Sequence, residues 1–207
     1  MPEEPTFSFI AGLPLAASAL RYARQMHHGQ RRDSDEAPFI LHPLEVASLL
    51  LNTGHEEAVI AAGILHDTLE DTRADPGELR ARFGEEVAAV VAAVSEDPTI
   101  EDYEQRKAAL RGQIAEFGSD AIAVDAADKV TKVRELRAQA GRDPELLAGE
   151  DAPGRQRLQH YVASLAMLEQ AQPEHPLVRQ LRFELEALRA LPPRTGRITP
   201  EDVRWSA

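Results

Sequence analysis

The chain has 207 residues, 43% hydrophobic and 28% charged, with a formal net charge of −12; that balance describes a globular protein with its own core and argues against a general nucleic-acid coat. There is no cysteine, which excludes disulfides and thiolate metal ligands. No apolar run approaches the ~18 residues of a membrane span, and "MPEEPTFSF" lacks the basic opening of a secretory signal, so the expectation is a cytoplasmic protein acting away from membranes and nucleic-acid polymers.

The elements expected in chain order are helical. Residues 14–28 carry Leu15, Ala19, Tyr22, Ala23 and Met26 at helical spacing. A polar loop, "GQRRDSDEAPF", leads to a helix started by Pro43 and running through Leu51. A further helix is expected from about Glu56 to Asp71. Asp75, Pro76 and Glu78 read as a capping box with proline at the first helical position, closed by Gly84. "EEVAAVVAAV", residues 101–117 and residues 119–139 supply three more helices. After "GRDPELLAGEDAPG", helices are expected over 155–171 and 176–191, the last with Leu177, Leu181, Leu185 and Leu188 on one stripe. The tail holds one short turn, Thr199 to Asp202, before Trp205. The expectation is one all-α domain over 1–207, an irregular or orthogonal bundle of about eight to ten helices, with its core at about 12–190 and a tail at 191–207.

Charge is distributed unevenly along this frame. Arg21, Arg24, Arg31 and Arg32 have no acid among them, and Lys129, Lys132, Arg134, Arg137 and Arg142 are interrupted only by Glu135. These basic islands read either as solvated helix faces or as a seat for a small anionic ligand.

The stretch "AAGILHDTLEDT" stands apart. On a helical wheel with His66 at zero, Glu70 falls near ~40°, Asp67 near ~100° and Asp71 near ~140°, while Leu65, Leu69 and Ala62 lie opposite. Gly63, one turn back, is expected to leave an open floor beneath these polar groups. An imidazole and three carboxylates on one arc suit a hard or borderline divalent cation; the alternative is a solvent-facing helix end. Acids at a helix C-terminus oppose the macrodipole, so their gathering there asks for a reason. His42, before a proline-started helix, and Asp128, on a helix apolar around most of its circumference, would complete a set of two imidazoles and two carboxylates. A lone buried Asp128 is expensive unless it is paired or metal-bound; Lys132, one turn on, is the competing partner.

Taken in order, "HHGQRR", "PFILHPLEVA", "AAGILHDTLEDT", "FGEEV" and "ADKV" resemble the hydrolase half of the RelA/SpoT proteins, and more closely the stand-alone small alarmone hydrolases (the Mesh1-like group) of the HD phosphohydrolase superfamily. The resemblance covers roughly residues 15–170. It implies an HD-domain fold holding one Mn²⁺, or another divalent ion, on His42, His66, Asp67 and Asp128. It also implies that Glu70 and Asp71 handle the attacking water, and that Arg31, Arg32, Arg157 and Tyr161 meet a small nucleotide. The implied reaction is removal of the 3′-pyrophosphate of (p)ppGpp, giving GDP or GTP and pyrophosphate; at this length no synthetase domain is expected.

Two positions depart from the resembled pattern, and the loop "SDEAPF" lacks the glycine common there. Lys132 stands where these proteins usually carry Asn against the nucleotide sugar, and Phe39 stands where they carry Tyr. Lys132 can grip an additional phosphate, which keeps open another nucleotide substrate such as NADPH or a 3′-phosphonucleotide. A nucleotide-binding regulator without turnover is the third reading. Oligomeric state is not encoded in any of these features.

Overall fold

Proline and acidic caps set the helix starts. The computed structural model describes residues 8–148 and 151–190; the expected turn at Thr199 to Asp202 and Trp205 lie outside them. Pro14 opens α1 (Pro14–Met26). The "LHPLEVASLLLN" helix is α2 (Leu41–Asn52), beginning two residues before Pro43. Next come α3 (Glu57–Leu65), a single turn α4 (Thr68–Asp71) and α5 (Pro76–Phe83).

The Asp75 carboxylate accepts from the backbone N–H groups of Gly77 and Glu78 at 2.8 and 3.1 Å, satisfying two otherwise free donors. Glu78 does not complete the expected box: its carboxylate accepts instead from the Tyr22 hydroxyl at 2.9 Å and pairs with Arg82. Gly84, at φ 90°, adopts the left-handed region that glycine tolerates, and joins α5 to α6 (Glu85–Ala93). Asp102 caps α7 (Tyr103–Phe117) by accepting from the Gln105 N–H at 2.8 Å. The long α8 (Ser119–Arg142), α9 (Arg155–Ala171) and α10 (Pro176–Arg189) complete the described chain.

The architecture is all-α: ten helices and two short 3-10 turns among the described residues, with one isolated bridge, Arg31 to Pro38, closing the loop before α2. None of these helices is long and apolar enough to cross a membrane. Helices α3 and α8 form the centre. The first packs on α1, α2, α6 and α8; the second on α2, α3, α6, α7, α9 and α10. Leu50, Ile60, Ile64, Leu65, Leu136, Leu181 and Leu185 are fully or almost fully buried in one hydrophobic cluster.

Gly63 does not open a floor. A methyl group there would collide with the Leu50 side chain and press on Val46. The glycine lets α2 lie close on α3, which brings His42 at the start of one to His66 at the end of the other.

The expected helix from Glu56 to Asp71 is also interrupted, at His66 and Asp67. The reason is local. His66 Nδ1–H donates to the Gly63 carbonyl at 2.8 Å and the Thr68 hydroxyl to the Leu65 carbonyl at 2.6 Å. Side chains thus take carbonyls that backbone N–H groups would otherwise use, and such back-bonding bends or ends a helix. Glu70 and Asp71 consequently sit in the first turn of a separate short helix.

Candidate metal centre

Four side chains from three segments converge in the interior. His42, His66, Asp67 and Asp128 are each 3–6% exposed. His42 Nε2 lies 3.2 Å from His66 Nε2, 3.3 Å from Asp67 Oδ2 and 3.1 Å from Asp128 Oδ1. His66 Nε2 lies 3.0 Å from Asp67 Oδ2 and 3.5 Å from Asp128 Oδ1.

The far nitrogens fix both rings. The Gly63 carbonyl can only accept, so His66 Nδ1 carries the hydrogen. Thr131 donates its hydroxyl hydrogen to the Asp128 carbonyl at 2.7 Å, so its oxygen accepts from His42 Nδ1 at 3.1 Å. Both Nε2 atoms are thereby turned toward the carboxylates, as ligand histidines are usually oriented.

The donor set fits a divalent cation. Asp67 Oδ2 is buried with no hydrogen-bond donor, and the equally buried Asp128 Oδ1 is met by the Lys132 ammonium at 3.0 Å; such oxygens are costly to bury unless a positive group meets them. Spacings of 3.0 to 3.5 Å suit donors sharing one ion at bond lengths of about 2.0–2.2 Å. His42, His66 and Asp128 form a group whose donor atoms all lie within 4.8 Å of one another, and Asp67 Oδ2 joins it through both imidazoles. Electrostatics agree. Burial disfavours a charged His66, but Asp67 and Asp128 outweigh it and raise the imidazole to about 10. Burial is likewise outweighed for Asp67, by His66 and Lys132, and for Asp128, by Lys129 and Lys132, so both carboxyls lie well below the usual range. The cluster attracts positive charge, whether proton or metal ion.

Glu70 and Asp71 lie at the exposed rim. Glu70 Oε1 accepts from the Glu96 N–H at 2.8 Å. Partial removal of water pushes both carboxyls up, with the Asp67 charge adding to each; their exposure moderates the effect. The Gln30 side chain donates to the Asp71 carbonyl at 2.8 Å and accepts from His27 Nδ1 at 2.7 Å.

A cavity of about 270 Å³ opens beside His42, lined by Arg31, Arg32, Phe39, Lys132, Arg157 and Tyr161 among others. The five residues expected to meet a nucleotide therefore share one space. They are not equally available. The Arg32 guanidinium is held by Asp35, Glu45 and Glu135 at 2.5 to 3.3 Å. Arg31 donates to the Glu36 carbonyl. Lys132 Nζ sits 3.0 Å from Asp128 Oδ1 and 3.8 Å from Asp67 Oδ1. Elsewhere in the second basic island, Arg134 and Arg137 clamp the buried Glu184 of α10 and serve the fold.

Sequence reasoning missed Thr131, Lys129 and Gln30. The Lys129 ammonium contacts Asp128 Oδ2 at 2.6 Å and Asp125 Oδ1 at 2.9 Å. Gln30 lies within the quoted "HHGQRR" stretch, but its partner is 41 residues away.

Residues 19–151 match the HD domain family. The guanosine-3′,5′-bis(diphosphate) 3′-pyrophosphohydrolase MESH1 of Xenopus tropicalis is 34% identical over 126 residues, covering 59% of this chain and 70% of that protein. A GTP pyrophosphokinase of Myxococcus xanthus is 37% identical over 132 residues, 60% of this chain but 17% of the relative. A probable guanosine-3′,5′-bis(diphosphate) 3′-pyrophosphohydrolase of Synechocystis is 47% identical over 81 residues, 39% of this chain and 10% of the relative. The chain thus spans less than a fifth of the length of these last two. Among solved structures, a metazoan ortholog of SpoT described as hydrolysing ppGpp superposes with TM-score 0.69 at 24% identity, covering 84% of this chain and 93% of that one. A Listeria monocytogenes EGD-e protein gives TM-score 0.61 at 27% identity, covering 71% and 92%.

Proposed function

The chain belongs to the HD domain family, and from that premise we propose that it is a Mn²⁺-dependent hydrolase that removes the 3′-pyrophosphate of (p)ppGpp. One observation carries the reading. Two buried carboxylate oxygens, of Asp67 and Asp128, converge with two oriented imidazoles beside a cavity whose lining includes Arg31, Lys132 and Arg157. The Xenopus relative, a guanosine-3′,5′-bis(diphosphate) 3′-pyrophosphohydrolase, supports the choice of nucleotide.

His42, His66, Asp67 and Asp128 would hold the ion. When bound, a divalent cation lowers the pKa of water and neutralises phosphoryl charge. The remaining work falls to this chain. Glu70, anchored by the Glu96 N–H, takes a proton from the attacking water, and Asp71, held through Gln30, orients that water. Water adds to phosphorus, the bond to the 3′ oxygen breaks, and a proton passes to that oxygen to leave a hydroxyl and pyrophosphate. Arg31, Arg32, Lys132, Arg157 and Tyr161 line the space for the anionic nucleotide. Guanidinium groups suit its phosphates and can stack on a base.

One observation favours a second reading. Lys132, a cation where the resembled proteins have Asn, lines the cavity and touches Asp128; this suits a nucleotide with an extra phosphate, such as NADPH or a 3′-phosphonucleotide. Incubation with ppGpp, pppGpp, NADPH and 3′-phosphonucleotides, followed by ³¹P NMR, separates the two. Pyrophosphate from ppGpp or pppGpp is the expected product; turnover of only the other substrates overturns the alarmone assignment, and binding without turnover marks a regulator.

A further inference from the structure

Three carboxylates and two ammonium groups form one set of linked ion pairs at the metal centre, and of these Lys132 lines the cavity. Asp67, Asp125, Asp128 and Lys129 are buried, while the Lys132 side chain is 33% exposed. Lys129 holds Asp128 by Oδ2 and divides its charge with Asp125. Lys132 behaves differently. Its Nζ lies 3.0 Å from Asp128 Oδ1, the same oxygen that converges with both histidine Nε2 atoms. It also lies 3.8 Å from Asp67 Oδ1. A tethered cation therefore touches the donor that a divalent ion requires. With a neutral residue at position 132, three carboxylates would face one ammonium; with lysine they face two.

We propose that Lys132 is a built-in counter-ion of the metal centre. It weakens divalent-cation binding in the substrate-free protein, and a phosphoryl group entering the cavity draws it off Asp128. Cation and phosphate then bind with positive coupling. This rests on the metal-hydrolase reading above. The exchange is sterically open, because Lys132 lines the cavity together with Arg31 and Arg157 and carries a point charge on a flexible stem. An ammonium that leaves a carboxylate for a phosphate keeps an ionic partner, whereas the carboxylate it leaves becomes free for the metal. Reciprocity follows: whatever factor phosphate adds to cation affinity, the cation adds to phosphate affinity.

Isothermal titration of Mn²⁺ into metal-stripped wild type, Lys132→Met and Lys132→Gln, each with and without inorganic phosphate, tests this. Both variants should bind Mn²⁺ about tenfold tighter or better without phosphate, the effect of removing a like charge at close range. Phosphate should tighten the wild type more than the variants and narrow that gap. Equal or weaker cation binding by both folded variants overturns the inference while leaving the hydrolase reading standing. No cation uptake by any of the three proteins removes the hydrolase reading and this inference with it.

Discussion

The imidazoles of the centre are held by nitrogens facing away from it, so their orientation depends on groups outside the donor set. His42 relies on the Thr131 hydroxyl, 89 residues along the chain. Thr131→Val should therefore leave the fold intact and lower metal affinity by about 10- to 100-fold, the usual effect of losing such a partner; titration of Mn²⁺ checks it, and unchanged affinity contradicts it. Glu70 makes a separate prediction. Its carboxyl is raised, chiefly by loss of water, so the base form disappears as pH falls through a value above the ordinary ~4.3 of a glutamate. The acid limb of kcat/KM should lie above that value, and residual activity of Glu70→Gln should lack it. The convergence of His42, His66, Asp67 and Asp128 was legible in the sequence because three motifs of one resembled pattern carry them. Thr131 was not, because a threonine three residues after an aspartate is unremarkable until α2 and α8 are packed together.

At the scale of elements, periodicity located the helices and misread the joint between two of them. A wheel drawn through 56–71 treats every backbone carbonyl as free for the helix. His66 and Thr68 take two of these carbonyls by their side chains and stop α3 one residue before the donors. Gly63 was misjudged for a related reason: its missing side chain faces Leu50 of α2, not the polar cluster. Gly63→Ala should push α2 from α3 at a fully buried leucine and cost about 1–3 kcal/mol, as overpacking does. Urea denaturation should show the loss as a lower midpoint at unchanged slope. The α8–α10 contact gives a second test. Glu184 is 4% exposed and is met by both Arg134 and Arg137. Replacing both arginines by alanine strands a buried charge, with an expected loss on the order of 3 kcal/mol.

For the molecule as a whole, net charge of −12 described the surface and said little about the site, where cations gather around a small cavity. The all-α class was legible because several of the described helices start or stop at signals written locally, such as Pro14, Asp75, Gly84, Asp102, Gly118 and Pro176. The arrangement of those helices was legible only through resemblance, since nothing local in α2, α3 and α8 says that they meet. Their meeting point is the central claim: one divalent ion held by His42, His66, Asp67 and Asp128 is required for hydrolysis. The direct measurement adds Mn²⁺ stepwise to metal-stripped protein and follows pyrophosphate release from ppGpp in parallel with bound metal. The rate should rise with occupancy and saturate at one ion per chain, and the His66→Ala, Asp67→Ala double variant should take up no ion and release nothing. Release that persists in chelator, or in the folded double variant, would contradict the account.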